Sequence, residues 1–370
     1  MTLGVLVRRL NQVPWIEGTV RAALARGHRV VLLLDDRDAG GPKGVLAPTA
    51  GRLPARFRAW AEVRRWPAPT ARLDAVLVPG PIAWRAEELP KARIRAGLQT
   101  SWSDVMHLAA AAADQWSAVY AWSSSWARFW TDSHGTAGAP TTFVPVSHPL
   151  AEHLGWLDRD AIRAQYGIPP DRRVVLFLPF PFGAHEQPWR LRWGYRVAPW
   201  GDRAVVRAVR DYCDRQNATL VVMDRYKVDT PGYTKRAADV FVEHADPAEP
   251  TVLKLLSVSQ LMVHHLSAAV AEAAAAGVTA LSVKPKHWTA YERRGDIPSF
   301  STTTEPWETD SFYAWAGMCY LAQPHVAGAL LRAGAWVIPP PGRQSYVDLF
   351  LGGEPFNAGA RSLDDLEKRV

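Results

Sequence analysis

Read along the chain, apolar residues come in short continuous runs separated by amphipathic stretches, the pattern of strands buried on both faces and alternating with helices. Residues 3–7 form such a run, residues 18–26 have helical spacing and stop at Gly27, and residues 29–34 form a second run ending in Asp35, Asp36 and Asp38. This is a βαβ opening. Further strands are expected at 75–78, closed by Pro79-Gly80, and at 94–98, 118–122 and 142–146. A connecting segment from Ser147-His148-Pro149 to Pro169-Pro170-Asp171 carries a helix at 159–166. The pattern then restarts: strand 174–178, helix 202–216, strand 219–223, helical turn 251–256, strand 261–264, helix 267–276 stopped by Gly277, and strand 279–283. Residues 307–331 have helical tendency broken at Pro324, and 362–370 form a charged amphipathic helix with Ser362 as N-cap before Asp364 and Asp365. The order predicts an α/β protein of two doubly wound, Rossmann-type units, 1–150 and 151–350, with a helical tail at 351–370.

Length agrees, because 370 residues with 48% hydrophobic content exceed one core and suit two domains. Charged residues at 21% and aromatics at 10% exclude a chain disordered in bulk. The two cysteines, Cys213 and Cys319, form no CxxC or Cys/His cluster, so neither a disulfide scaffold nor a metal site is expected, and a reducing compartment is the default. The longest apolar stretches, 106–113 and 268–277, fall short of the roughly 18 to 20 residues of a membrane helix. Residues 1–10 place their arginine pair after the apolar run, a poor secretory signal, so a soluble, cytoplasmic protein without a membrane span is expected. The net charge of +7 rests on 35 Arg against 8 Lys. Such a balance favours anionic partners, and a GC-rich coding sequence gives the same excess.

Chemistry concentrates in residues 261–283. A strand ending in His264 and His265 runs into a helix, with Ser267 and Ala268 at the turn and Glu272 one turn further. Helix N-termini offer unpaired N–H groups and partial positive charge to phosphate, small residues admit an anion, and a carboxylate so placed accepts from ribose hydroxyls. The same residues also suit a plain N-capped helix beside a core histidine. Arg225 and Lys227 follow the second strand of this half, at the carboxyl edge where open α/β sheets bind ligands, and two cations there would neutralise a diphosphate.

The 261–283 segment resembles the donor-binding element of GT-B glycosyltransferases, the two-Rossmann-domain superfamily of UDP-glycosyltransferases, UDP-GlcNAc 2-epimerase and CDP-glycerol glycerophosphotransferases. His264 and Glu272 keep the eight-residue interval of the plant-type UDP-glycosyltransferase signature, and Ser267 takes the small hydroxyl position; the Gly-Trp-Asn-Ser run of that signature is missing. Tyr166-Gly167-Ile168-Pro169 followed by 173–177 is similar to the interdomain linker and first C-domain strand. The resemblance implies a GT-B fold with two units facing a central cleft, and a metal-independent glycosyltransferase without a bound cofactor. It would move sugar from a nucleotide donor, UDP-linked, to a hydroxyl. His264, His265, Ser267, Ala268, Glu272, Arg225 and Lys227 would hold the donor.

Deprotonating an acceptor needs a carboxylate or histidine on the first unit. Glu17, in the loop 8–18 after the first strand, Asp36 and Asp104 are the candidates, with Asp35 and His148 beside them. Two stretches interleave arginine with tryptophan: 52–66, and 189–200 with Trp189, Arg190, Arg192 and Trp193. Guanidinium groups reach phosphates while indoles stack on bases or sugars, so the second stretch is expected to bind the acceptor, a nucleic acid such as a hydroxymethylated DNA base, or an anionic envelope glycan. Two alternatives stand: a CDP-polyol phosphotransferase of envelope polymer synthesis, and a non-catalytic nucleic-acid-binding protein on a GT-B scaffold.

Overall fold

The computed structural model describes residues 1–37, 46–67, 72–81, 86–101, 115–134, 141–179, 202–224, 230–243, 246–265, 267–283, 319–322, 324–334 and 342–370. The chain divides into two compact units, Met1–Gly155 with Asp246–Pro250 and Asp348–Val370, and Trp156–Ala245 with Thr251–Val347.

In the first unit, β1 (Thr2–Val7), α1 (Val13–Ala25), β2 (Arg29–Asp35), α2 (Ala55–Trp60), β3 (Glu62–Trp66), β4 (Leu73–Pro79), β5 (Ala92–Leu98), β6 (Ala118–Ala121), α3 (Ser124–His134) and β7 (Thr142–Pro145) follow one another. The seven strands pair in parallel in the order β3-β2-β1-β4-β5-β6-β7. The register fixes the apolar runs face to face, Leu3 opposite Val30 and Ala75. One face is covered by a core that includes Val5, Ile16, Val20, Leu32 and Leu77, the other by Leu6, Val76, Trp116, Val119 and Trp130. That burial on both sides is why the strands read as unbroken hydrophobic runs.

The second unit contains α4 (Arg159–Gln165), β8 (Arg173–Leu178), α5 (Asp202–Gln216), β9 (Ala218–Met223), α6 (Gly232–Ala237), β10 (Val240–Val242), α7 (Thr251–Val258), β11 (Leu261–His264), α8 (Ala269–Ala275), β12 (Thr279–Val283), β13 (Tyr320–Ala322), α9 (Pro324–Ala333) and α10 (Arg343–Tyr346). Its sheet is also parallel, ordered β10-β9-β8-β11-β12-β13. Both sheets thus carry the doubly wound order, with a reversal of direction beside β1 and again beside β8.

The chain ends in α11 (Ala358–Arg369), part of the first unit, where Leu363 and Leu366 are buried in the core beside α1. The segment expected to be a separate tail therefore completes the first core. Its start also differs from expectation. Ser362 is a buried interior residue donating its hydroxyl to the Ala358 carbonyl at 2.7 Å, and the cap position falls to Asn357. Pro324, expected to break a helix, begins α9 just after the short strand β13, where proline's missing N–H costs nothing.

Candidate functional site

The order of the second sheet places its crossover reversal between β8 and β11, so the residues leaving the carboxyl ends of these strands border the ligand-binding crevice of an open α/β sheet. From β11 those residues are His264, His265 and the turn to α8. His264 is wholly buried, and its Nδ1 accepts the Ser267 N–H at 3.1 Å. The Ser267 hydroxyl in turn accepts the Ala269 N–H at 3.3 Å, while the Ser267 carbonyl takes the Val270 N–H at 3.2 Å. Ala268 is the exposed residue of the turn. The amides of Ser267 and Ala269 are thus engaged within the turn itself, whereas a wholly unpaired helix start was expected.

His265, also fully buried, extends the strand pairing by donating its N–H to the Leu178 carbonyl at 3.4 Å. Its Nδ1 lies 2.8 Å from the Val283 carbonyl, and its ring meets Phe177 edge-on at 5.5 Å. Glu272 is half-buried on the first turn of α8, and burial pushes its carboxyl up to about 7. At the end of β9, on the far side of β8 from β11, Asp224 accepts the Thr230 hydroxyl at 2.5 Å and donates its own N–H to the Val242 carbonyl at 2.9 Å. Sequence reasoning passed over Asp224, although an acidic residue directly after an apolar strand is the signal that marked Asp35. Arg225, Lys227, Trp189, Arg190, Arg192, Trp193 and Asp104 lie outside the described residues.

On the first unit, the expected loop 8–18 is shorter than the sequence suggested, because α1 begins at Val13 with Pro14 in its first turn. Glu17 therefore sits on the helix, 2% exposed, rather than in a loop. Arg56 grips both of its carboxylate oxygens at 2.9 Å, and Arg21 donates to one of them at 2.9 and 3.1 Å. Burial alone would raise its pKa; the arginines outweigh that and hold it below the ordinary carboxylate value. A carboxylate so enclosed is a poor proton acceptor, and Glu17 leaves the set of base candidates on that ground. Arg56 also reaches Glu249 at 2.5 Å, pinning 246–250, whose Ala248 is buried in the same core.

Asp35 is fully buried at the end of β2 and bound by Arg37 at 2.8 and 3.0 Å and by Arg8 at 3.4 Å. Asp36, by contrast, has a side chain 29% exposed and pairs with the solvated Arg65 at 3.1 Å. Gln12 closes the β1 loop, accepting the N–H groups of Arg8 and Arg9 at 3.0 Å and donating to the Pro79 carbonyl. His148 is 1% exposed and packs against Trp122 and Trp15, ring centroids 4.4 and 5.2 Å away, which themselves stack on each other at 5.7 Å. Burial drops its pKa to about 3, so it is an uncharged packing group.

The arginine–tryptophan stretch 52–66 is largely occupied internally. Arg56 serves Glu17 and Glu249, Arg64 pairs with Glu62, Arg65 with Asp36, and Trp60 lies under the Arg21 guanidinium at 4.7 Å. Both thiols are buried, and burial pushes each up to about 12. Among the described residues no group of three or more His, Cys, Asp or Glu could hold a metal ion, and no helix is long and apolar enough to cross a membrane.

No family model matches the sequence, and no curated protein does. Solved structures do resemble it. The wall teichoic acid polymerase TagF aligns over 100% of this chain and 88% of its own with a TM-score of 0.59 and 9% identity, and a variant soaked with CDPG gives 0.59 and 8%. UDP-GlcNAc 2-epimerase from Neisseria meningitidis bound to UDP-GlcNAc aligns over 100% of both chains at 0.58 and 9% identity. The same enzyme from Methanocaldococcus jannaschii gives 0.54 and 12%, again over 100% of both. Identities this low speak to fold alone, and the fold is of the GT-B type.

Proposed function

We propose that this GT-B-type chain is a metal-independent glycosyltransferase that binds a UDP-linked or related sugar nucleotide on its second unit and transfers the sugar to a hydroxyl held by its first. The observation that carries the reading is the 267–268 turn. It lies at the switch-point edge of the second sheet, presents an exposed Ala268 over the small Ser267, and is followed by the half-buried Glu272. A diphosphate can approach backbone closely where side chains end at Cβ or Oγ, and a carboxyl poised near 7 can exchange hydrogen bonds with ribose hydroxyls. Arg225 and Lys227, following β9 in the chain, would balance the leaving-group charge that a metal balances in other transferases.

On the first unit, Asp36 takes the part of proton acceptor, being partly exposed at a strand's carboxyl end with a solvated partner; Asp104 is the other candidate. Trp189, Arg190, Arg192 and Trp193 are assigned to the acceptor, a glycan or a modified nucleic acid, because they combine stacking faces with phosphate donors. A second reading, a CDP-polyol phosphotransferase, is favoured by the likeness to TagF over the whole chain. Attack would then occur at phosphorus.

Calorimetry with UDP and CDP, followed by a panel of sugar nucleotides and CDP-glycerol, tests both readings. Nucleotide diphosphate as product supports sugar transfer, and CMP supports the phosphotransferase. Ser267→Trp should abolish nucleotide binding in a folded chain, and turnover should survive EDTA. Absence of nucleotide binding at about millimolar concentration would overturn both.

A further inference from the structure

The two adjacent histidines at the end of β11 are held by partners whose chemistry leaves no choice of role. A backbone N–H can only donate, so the Nδ1 of His264, 3.1 Å from the Ser267 N–H, must carry a lone pair, and the ring proton sits on Nε2. A backbone carbonyl can only accept, so the Nδ1 of His265, 2.8 Å from the Val283 carbonyl, must carry a proton. The bond from Ser267 closes back over three residues and sets the turn; the bond to Val283 spans 18 residues and joins the carboxyl end of β11 to that of β12. With the His265 N–H on Leu178 and its ring edge on Phe177, the ends of β8, β11 and β12 are tied at one point. Both rings are fully buried, whereas Ala268 is exposed.

We propose that His264 and His265 are positioning residues, fixed with their protons on opposite ring nitrogens, which hold the Ser267–Ala268 turn from beneath. On this assignment the phosphate meets the turn and neither ring touches it. His264 cannot take a proton from an acceptor at Nδ1, since that lone pair is committed to Ser267. The inference rests on reading this turn as the donor site, and its test separates the two.

Asparagine and glutamine distinguish positioning from direct contact. The Asn Oδ1 lies near the position of Nδ1 and can accept from Ser267, while glutamine reaches toward Nε2 and leaves the Ser267 N–H without its acceptor. His264→Asn should bind UDP or CDP within about threefold of the native chain and His264→Gln about tenfold more weakly. The reverse order, glutamine tolerated and asparagine not, would overturn the proposal in favour of a ligand contact through Nε2. For His265, the asparagine amide can still donate to Val283, so His265→Asn should keep affinity where His265→Leu loses about tenfold. Equal loss in both would remove the positioning role. Long-range ¹H–¹⁵N correlation spectra of the full-length native chain check the assignment without any nucleotide. A proton on Nε2 of His264 and on Nδ1 of His265 is expected, and the opposite placement in either ring refutes it. A native chain that binds neither UDP nor CDP yet shows these tautomers would sink the proposed function and leave the histidine assignment standing.

Discussion

The replacement Gly359→Ala should destabilise the first unit, although by propensity alone it should help. Gly359 lies in the first turn of α11, where an alanine in a helix is worth up to about 1 kcal/mol over glycine. Geometry reverses the sign. A Cβ at this position would stand 2.1 Å from the Gly18 carbonyl carbon, 2.4 Å from its oxygen and 2.6 Å from the Thr19 nitrogen, all backbone atoms of α1. Ordinary contact requires about 3.5 Å, so the two helices must separate by about 1 Å. Separation loosens Leu363 and Leu366, both fully buried, and stretches the 2.9 Å bond from the Gly359 N–H to Glu152. Overpacking at about 1–3 kcal/mol and a weakened half-buried hydrogen bond at about 1 kcal/mol give a net loss of about 1–3 kcal/mol after the propensity gain. For a unit of this size that lowers the thermal midpoint by about 2–12 °C, readable by circular dichroism. Gly18→Ala is the control. Its Cβ would meet Glu152 Oε2 at 2.2 Å, the movable end of a side chain, so it should cost less. An unchanged or higher midpoint for Gly359→Ala, or a larger loss for Gly18→Ala, would refute the account of this helix crossing.

Arg56→Ala removes the two-ended partner of Glu17 and leaves that carboxylate, 2% exposed, with Arg21 alone, so a loss of about 2–4 kcal/mol is expected in urea titration, against less than about 1 kcal/mol for Arg65→Ala at the solvated pair with Asp36. For His148 the folded pKa, about 3, lies below the free value, so the unfolded chain binds the extra proton as pH falls below 6.5 and native stability declines towards pH 3; His148→Phe should flatten that decline in acid titration. Glu272 works in the opposite sense. Its carboxyl is raised from 4.5 to about 7, the folded chain holds the proton longer, and stability falls as pH rises through that window, a slope that Glu272→Gln should remove. If the ribose hydroxyls donate to Glu272, nucleotide affinity should rise as pH passes 7 in the native chain and stay level in Glu272→Gln, as calorimetry at pH 6 and 8 would show.

The continuous runs of residues 3–7, 29–34, 174–178 and 219–223 are legible as strands because each is covered on both faces, and α5 matches its periodicity end to end. The turn after β11 is legible too, since a histidine, a small hydroxyl and a helical carboxylate stand at short, fixed intervals in one segment. The strands that escaped are β3, β10 and β13. All three are edge strands; Glu62–Trp66 is mostly charged, and the apolar runs of β10 and β13 are only three residues long, too short to stand out as strands. The fate of Glu17 was equally hidden, because its arginine partners come from the next turn of its helix and from a different element 39 residues on.

What the sequence by itself determined is periodicity and local order: two parallel α/β units, their strand–helix alternation, and the residues of a turn that lie within a dozen positions of one another. What only the tertiary structure decided is partnership across distance. It decided that α11 closes the first core through Gly18 and Gly359, that His265 reaches Val283, and that Arg56 and Arg65 of the basic stretch 52–66 pair with carboxylates from elsewhere in the chain. The physical reason is that periodic burial is written into each segment separately. A hydrogen bond, an ion pair or a close helix crossing depends on which two segments the fold brings together, and no single segment carries that information.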